Sequence, residues 1–256
     1  MDRYLLQRKY DKYKDRTLRL DQYLIDKLGF QKNKIYLKIE DYFISCVPFE
    51  ISLEKGRVIA ILGSKEIGFF QKYVNRSHNL HVSLDHHTFA KPISLFLKIK
   101  ILDMQQHNPE SNVCLMNLEF VTVPNDFKEV FITVAEELDG YLRRYERSKS
   151  QTMEIDLASY KKAGNSVYVQ IGAPGDDPVG RIKMIQVQPS QIRAFGDLEG
   201  VELEQGGEIE LTYNHVKRDI FLKGRIANIQ PSDEAPGFAG VTVDLDYSPA
   251  FVEALA

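Results

Sequence analysis

The chain has 256 residues, 43% of them hydrophobic and 27% charged, with 33 Lys+Arg against 36 Asp+Glu, 2 Cys and no Trp. That composition excludes a fibre, a disordered chain and a disulfide scaffold, and at roughly 100 to 150 residues per domain the length suits two cores. Residues 151–256 carry 9 Lys+Arg and 16 Asp+Glu, leaving 24 and 20 for residues 1–150, so a mildly basic half suited to an anionic ligand precedes an acidic one, with no demand for nucleic acid.

Met1-Asp2-Arg3-Tyr4 carries no apolar signal region, and no run reaches the ~18 apolar residues of a membrane span, so a cytoplasmic chain without a span is expected. Residues 3–28 read as one helix: Leu5, Leu6, Tyr10, Tyr13, Leu18, Leu20, Leu24, Ile25 and Leu28 form a rough apolar stripe, and Gly29 follows as a C-cap. Tyr4, Tyr10, Tyr13 and Tyr23 lie among its Lys and Arg residues, a pattern that fits acidic partners but more commonly packs on a neighbouring core.

From Ile35 the period changes to two. Short β-branched and aromatic segments at 35–39, 42–51, 57–62, 80–84, 95–102 and 113–123, separated by turn residues, predict a small β-barrel or sandwich. Cys46 and Cys114 fall inside apolar segments 68 positions apart, as buried reduced thiols do. Asn125-Asp126 then caps a helix to about Arg147 with Phe127, Val130, Phe131, Val134, Leu138, Tyr141 and Leu142 on one face. The charged run 143–151 reads as a linker. A second β block follows at 167–171, 180–187, 192–195, 200–203, 208–213, 221–229 and 240–245. The domains expected are thus a helix at 1–29, a barrel with its helix at 30–142, the linker at 143–151 and a second barrel at 152–256.

An internal echo supports two similar barrels. Phe96-Leu97-Lys98-Ile99-Lys100-Ile101 matches Phe221-Leu222-Lys223-Gly224-Arg225-Ile226, and Asn117-Leu118-Glu119-Phe120 matches Asp244-Leu245-Asp246-Tyr247. Each copy continues to Pro and Phe, Pro124 with Phe127 and Pro249 with Phe251, in the same order and with nearly constant spacing.

The C-terminal block, through Gly206-Gly207-Glu208-Ile209-Glu210-Leu211, the strand 221–229 and the closing Gly240 to Tyr247, resembles a PilZ domain. The block before it resembles the PilZ-like partner domain of two-domain proteins of flagellar-brake type. The resemblance implies a mainly β chain with flanking helices: two small six-stranded barrels joined by a helical linker. It further implies a non-enzymatic cytoplasmic receptor or adaptor with no cofactor, cyclic di-GMP as ligand and a protein partner, the motility machinery being a candidate. In that family an RxxxR motif and a DxSxxG motif hold the ligand. Arg143-Arg144-Tyr145-Glu146-Arg147 fits the first, which implies Arg143, Arg147 and neighbouring Arg144 as ligand-binding residues. A guanidinium donates bidentately to guanine O6 and N7, pairs with phosphate and stacks on a purine, although two Arg at i,i+4 in a charged run also fit a solvated face. The second motif aligns with Gln186, Gln188 and Gln191, so amides stand where the family has Asp, Ser and Gly. An amide still bonds a guanine edge, but it supplies no carboxylate, and Gln191 has a Cβ where Gly allows close approach. Lys161 and Lys162 offer a rival alignment, as point charges without the guanidinium fork. The alternative function is a PilZ scaffold that leaves cyclic di-GMP unbound and acts through protein–protein contact.

Other constellations are weaker. His78, His81, His86 and His87 with Asp85 lack the spacing of a metal site and fit a polar loop and strand edge. Gly63-Ser64-Lys65 lacks the preceding Gly of a phosphate loop, and Asp176-Asp177 between Gly175 and Pro178 reads as a solvated turn. No pattern assembles a nucleophile with a base, so catalysis is not expected.

Overall fold

The computed structural model describes residues 3–108, 111–151, 158, 161, 167–172, 175, 180–198, 201–215 and 218–256. Lys162, Asp176 and Asp177 lie outside this set. The chain divides into two compact units, Met1–Glu137 and Leu138–Ala256. No helix among the described residues is long and apolar enough to cross a membrane.

In the first unit the single helix expected over residues 3–28 is instead α1 (Arg3–Tyr13), a short strand β1 (Leu18–Arg19) and α2 (Gln22–Leu28). The period of two in Leu18-Arg19-Leu20, buried, exposed, buried, suits a strand. β1 pairs antiparallel with Glu50 and Ile51, and Asp21 restarts the helix by accepting a 2.8 Å hydrogen bond from the Leu24 N–H. Gly29 ends α2 at φ 72°, and a Cβ there would lie 2.4 Å from the Asp85 carbonyl oxygen, so both backbone conformation and space require glycine.

Six strands then close a barrel: β2 (Tyr36–Ile39), β3 (Tyr42–Ile51), β4 (Lys55–Ile61), β5 (Ser77–Leu84), β6 (Ile93–Gln106) and β7 (Val113–Thr122). The ring runs β3-β2-β5-β6-β7-β4 and returns to β3, every pairing antiparallel. Inward residues such as Leu37, Leu80, Leu97, Ile99 and Met116 are buried, and each large aliphatic side chain taken from water contributes about 1.5 to 3 kcal/mol. A helix absent from the sequence reading, α3 (Ser64–Phe70), follows β4. α4 (Asn125–Ser150) buries Phe127, Val130, Phe131 and Val134 at i, i+3, i+4 and i+7 spacing. It stays helical through Ser150, across most of the stretch read as a linker.

The second unit holds the last turns of α4, a closed barrel and a C-terminal helix. Its strands are β8 (Tyr168–Gly172), β9 (Gly180–Gln188), β10 (Gln191–Asp197), β11 (Glu208–His215), β12 (Arg218–Pro231) and β13 (Phe238–Leu245), followed by α5 (Pro249–Ala254). They close as β10-β13-β12-β11-β8-β9 around Val169, Ile182, Met184, Leu211, Tyr213 and Val243. Residues 201–203, expected as a strand, are irregular.

Both rings connect their strands in the same order, and two of their irregularities coincide. The β6–β7 ladder slips between Ile101 and Asp103, and the β12–β13 ladder slips between Ile226 and Asn228, at matching positions. The bulge at Phe49 of β3 has its counterpart at Ile185 of β9. Bulges bend a strand at a fixed point, so shared bulges mark the same barrel built twice.

Candidate functional site

The last turns of α4 are fastened to the second barrel by their inner face. Buried Tyr145 donates from its hydroxyl to the Leu245 carbonyl at 2.7 Å. Ser148 Oγ lies 2.7 Å from the Tyr145 carbonyl and 2.8 Å from Ser190 Oγ. Because a hydroxyl has one proton, Ser148 donates to the carbonyl and accepts from Ser190. Arg144 Nη2 donates to the Leu255 carbonyl at 2.7 Å and so ties α4 to the segment after α5.

Arg143 and Arg147 lie four residues apart on the exposed face of the same helix. Neither guanidinium has a hydrogen-bonding or ion-pairing partner among the described residues. Among the described residues, two unpaired cations therefore project from a helix whose opposite face is fixed. Arg144, the third arginine of the run, is rotated about 100° from Arg143 by the helical repeat.

The three glutamines lie on the hairpin to which Ser148 is fastened. β9 and β10 meet at Gln188 and Gln191, with Pro189-Ser190 as a two-residue turn. Gln186 Oε1 accepts from Arg193 Nη1 at 3.2 Å, and Gln191 Nε2 donates to Asp244 Oδ1 at 2.7 Å. Gln188 is half-buried. The structure thus brings the helix bearing Arg143 and Arg147 to the hairpin bearing Gln186, Gln188 and Gln191. It adds Arg193, which sequence reasoning missed. Strand alternation carries the signal: Arg193 stands two residues beyond Gln191 and opposite Gln186, on the same outer face.

The remaining candidates have structural partners. His78 bonds the Tyr73 carbonyl at 3.0 Å, His81 bonds the Lys34 carbonyl at 3.2 Å and stacks on Tyr36, and His86 bonds Thr88 at 3.0 Å. Among the described residues no group of three His, Cys, Asp or Glu side chains is placed to hold a metal. Gly63 begins α3, with its N–H donating to Glu66 Oε2 at 2.7 Å. Burial pushes the Cys46 thiol up to about 12 and the Cys114 thiol up to about 11, so both stay protonated.

The PilZN3 domain family matches residues 5–134, half of the chain. The chain belongs to that family. In this PilZN3 protein the matched span takes in α1, the first barrel and the start of α4. No curated protein matches it. Among solved structures it is similar to the Borreliella burgdorferi PlzA protein in complex with c-di-GMP, at 14% identity and TM-score 0.44, covering 98% of this chain and 97% of that one. It is also similar to the Bacillus subtilis inhibitor of motility MotI/DgrA, at 9% identity and TM-score 0.30, covering 88% and 93%. Escherichia coli YcgR in complex with c-di-GMP follows at 11% identity and TM-score 0.27, covering 91% and 83%.

Proposed function

We propose that this chain is a non-enzymatic cytoplasmic receptor that binds cyclic di-GMP through Arg143 and Arg147 and passes the signal to a protein partner. The observation that carries the reading is the pair of guanidiniums on one exposed face of α4, unpaired among the described residues, on a helix fastened from behind by Tyr145 to the end of β13 and by Ser148 to the β9–β10 hairpin. Cyclic di-GMP offers two purines and two phosphates, and a guanidinium can pair with the phosphates or donate to guanine O6 and N7. Gln186, Gln188 and Gln191 supply amides to a guanine edge, and Arg193 adds a cation beside them. α4 runs unbroken from residues of the first unit into the second. A ligand gripping it changes the arrangement of the units and their hold on a partner to the extent that it binds one arrangement better.

Isothermal titration of the full chain with cyclic di-GMP tests this. Heat is expected with wild type, and each arginine lost is expected to weaken binding by about 10-fold or more, the equivalent of 1 to 3 kcal/mol per guanidinium. No heat at high micromolar ligand, or an unchanged isotherm for Arg143→Ala/Arg147→Ala, overturns it. The second reading, a scaffold that binds protein alone, draws on the absence of a carboxylate among Gln186, Gln188 and Gln191. It predicts partner complexes that form equally with and without the nucleotide.

A further inference from the structure

The two units repeat more than their rings. α1 contains Arg8-Lys9-Tyr10-Asp11-Lys12, and the end of α4 contains Arg143-Arg144-Tyr145-Glu146-Arg147: cation, cation, Tyr, acid, cation in both. The shared bulge aligns Glu50, Ser52, Glu54, Lys55 and Arg57 on the first barrel with Gln186, Gln188, Ser190, Gln191 and Arg193 on the second. The helix meets the equivalent turn in both units, through different helix positions, since Tyr10 aligns with Tyr145. Tyr10 Oη donates to Glu54 Oε1 at 3.4 Å, where in the second unit Ser148 meets Ser190.

Within this common frame the side chains differ in a chemically directed way. Glu50, Arg57, Asn117 and Asp103 form one row across β3, β4, β7 and β6. Arg57 lies 3.4 Å from Glu50 and donates from Nε to Asn117 Oδ1 at 2.8 Å, and Asn117 Nδ2 donates to Asp103 Oδ1 at 2.7 Å. The same row on the second barrel is Gln186, Arg193, Thr242 and Asn228, with no carboxylate. Glu50, Arg57, Asn117 and Asp103 border a cleft of about 410 Å³, with buried Ile51 and Leu118 among its lining and Lys55 exposed beside them. The Arg57 side chain is 45% exposed, and an ion pair that open contributes about 0 to 1 kcal/mol, so the Glu50–Arg57 pair adds little to fold stability.

We propose that this cleft is a second nucleotide site, selective for guanine. Guanine presents N1–H and N2–H donors beside O6 and N7 acceptors. A guanidinium flanked by the Glu50 carboxylate and the Asn117 amide, with the Asp103 carboxylate beyond the amide, offers donors and acceptors to that pattern, whereas adenine reverses it at the 6-position. Arg57 donates to the acceptor edge, a neighbouring carboxylate accepts from N1–H and N2–H, and Lys55 meets phosphate. Ser52 fixes the hairpin beneath by donating to the Lys55 carbonyl at 3.1 Å and accepting from the Lys55 N–H at 3.0 Å. The comparison between units rests on reading the Arg143 and Arg147 face as a nucleotide site, and the experiment separates the two.

The full chain carrying Arg143→Ala/Arg147→Ala is titrated with GMP, cyclic di-GMP and AMP, followed by heat and by the NMR signal of the Asn117 side-chain amide. Guanine nucleotides are expected to bind and to shift that signal, with about 10-fold preference over AMP. Arg57→Ala is expected to weaken them about 10-fold or more, and Asp103→Asn or Glu50→Gln to reduce the preference for guanine while the thermal midpoint stays within a few degrees. Absence of guanine-nucleotide binding in this background, indifference to Arg57→Ala, or equal binding of AMP overturns the second site. If wild type binds cyclic di-GMP and the background does not, the first site stands and this one falls. If binding survives Arg143→Ala/Arg147→Ala and is lost with Arg57→Ala, the reverse holds.

Discussion

Three arginines within five residues have two fates, and the helical repeat decides which. Arg143 and Arg147 share an exposed face, while Arg144 bonds the Leu255 carbonyl. The i,i+4 spacing was legible in the sequence. The diversion of Arg144 was not, because its acceptor is a backbone carbonyl 111 residues away. The platform behind the arginines depends on Tyr145, whose buried hydroxyl bonds the Leu245 carbonyl. Tyr145→Phe keeps the ring and deletes the bond, leaving a carbonyl without its donor, and is expected to cost about 1 to 2 kcal/mol in urea unfolding of the full chain. An unchanged midpoint would show that the hydroxyl does not fasten the helix.

Elements with a clean period are legible in the sequence, and those without one are not. Strands β2, β4, β6 and β7 largely alternate inward and outward residues and announce themselves, whereas residues 3–28 mix an apolar stripe of period 3.6 with the two-residue alternation of β1. The break in that stretch depends on pairing with Glu50 and Ile51, a long-range fact. α3 was missed because Gly68 and a seven-residue length leave little helical signal. Gly29 was read as a C-cap, and the structure adds the close approach of Asp85. Gly29→Ala forces both a left-handed φ on a residue with a Cβ and a displacement of the Asp85 backbone, and a loss of about 1 to 3 kcal/mol is expected by thermal or urea unfolding. Full stability in that variant would contradict the geometry.

For the whole molecule, the echoed fragments 96–101 and 221–226 occupy the same place in each ring, whereas the ladders set Asn117 in the position of Thr242, so the echo of 117–120 with 244–247 is displaced by two residues. The rest of the repeat, including the shared bulges and the helical Arg-Lys-Tyr-Asp-Lys segment, emerges once distant strands are paired, since register is set by partners far along the chain. The expected pocket chemistry was legible only in its arginines. Gln186, Gln188 and Gln191 mark where the hairpin is, and their bonding partners Arg193 and Asp244 come from register across β10 and β13. A crystal structure of the full chain grown with saturating cyclic di-GMP tests whether the α4 face of the second unit holds the ligand. The ligand is expected within hydrogen-bonding distance of the Arg143 and Arg147 guanidiniums. Those two side chains left without ligand at saturating cyclic di-GMP would contradict it.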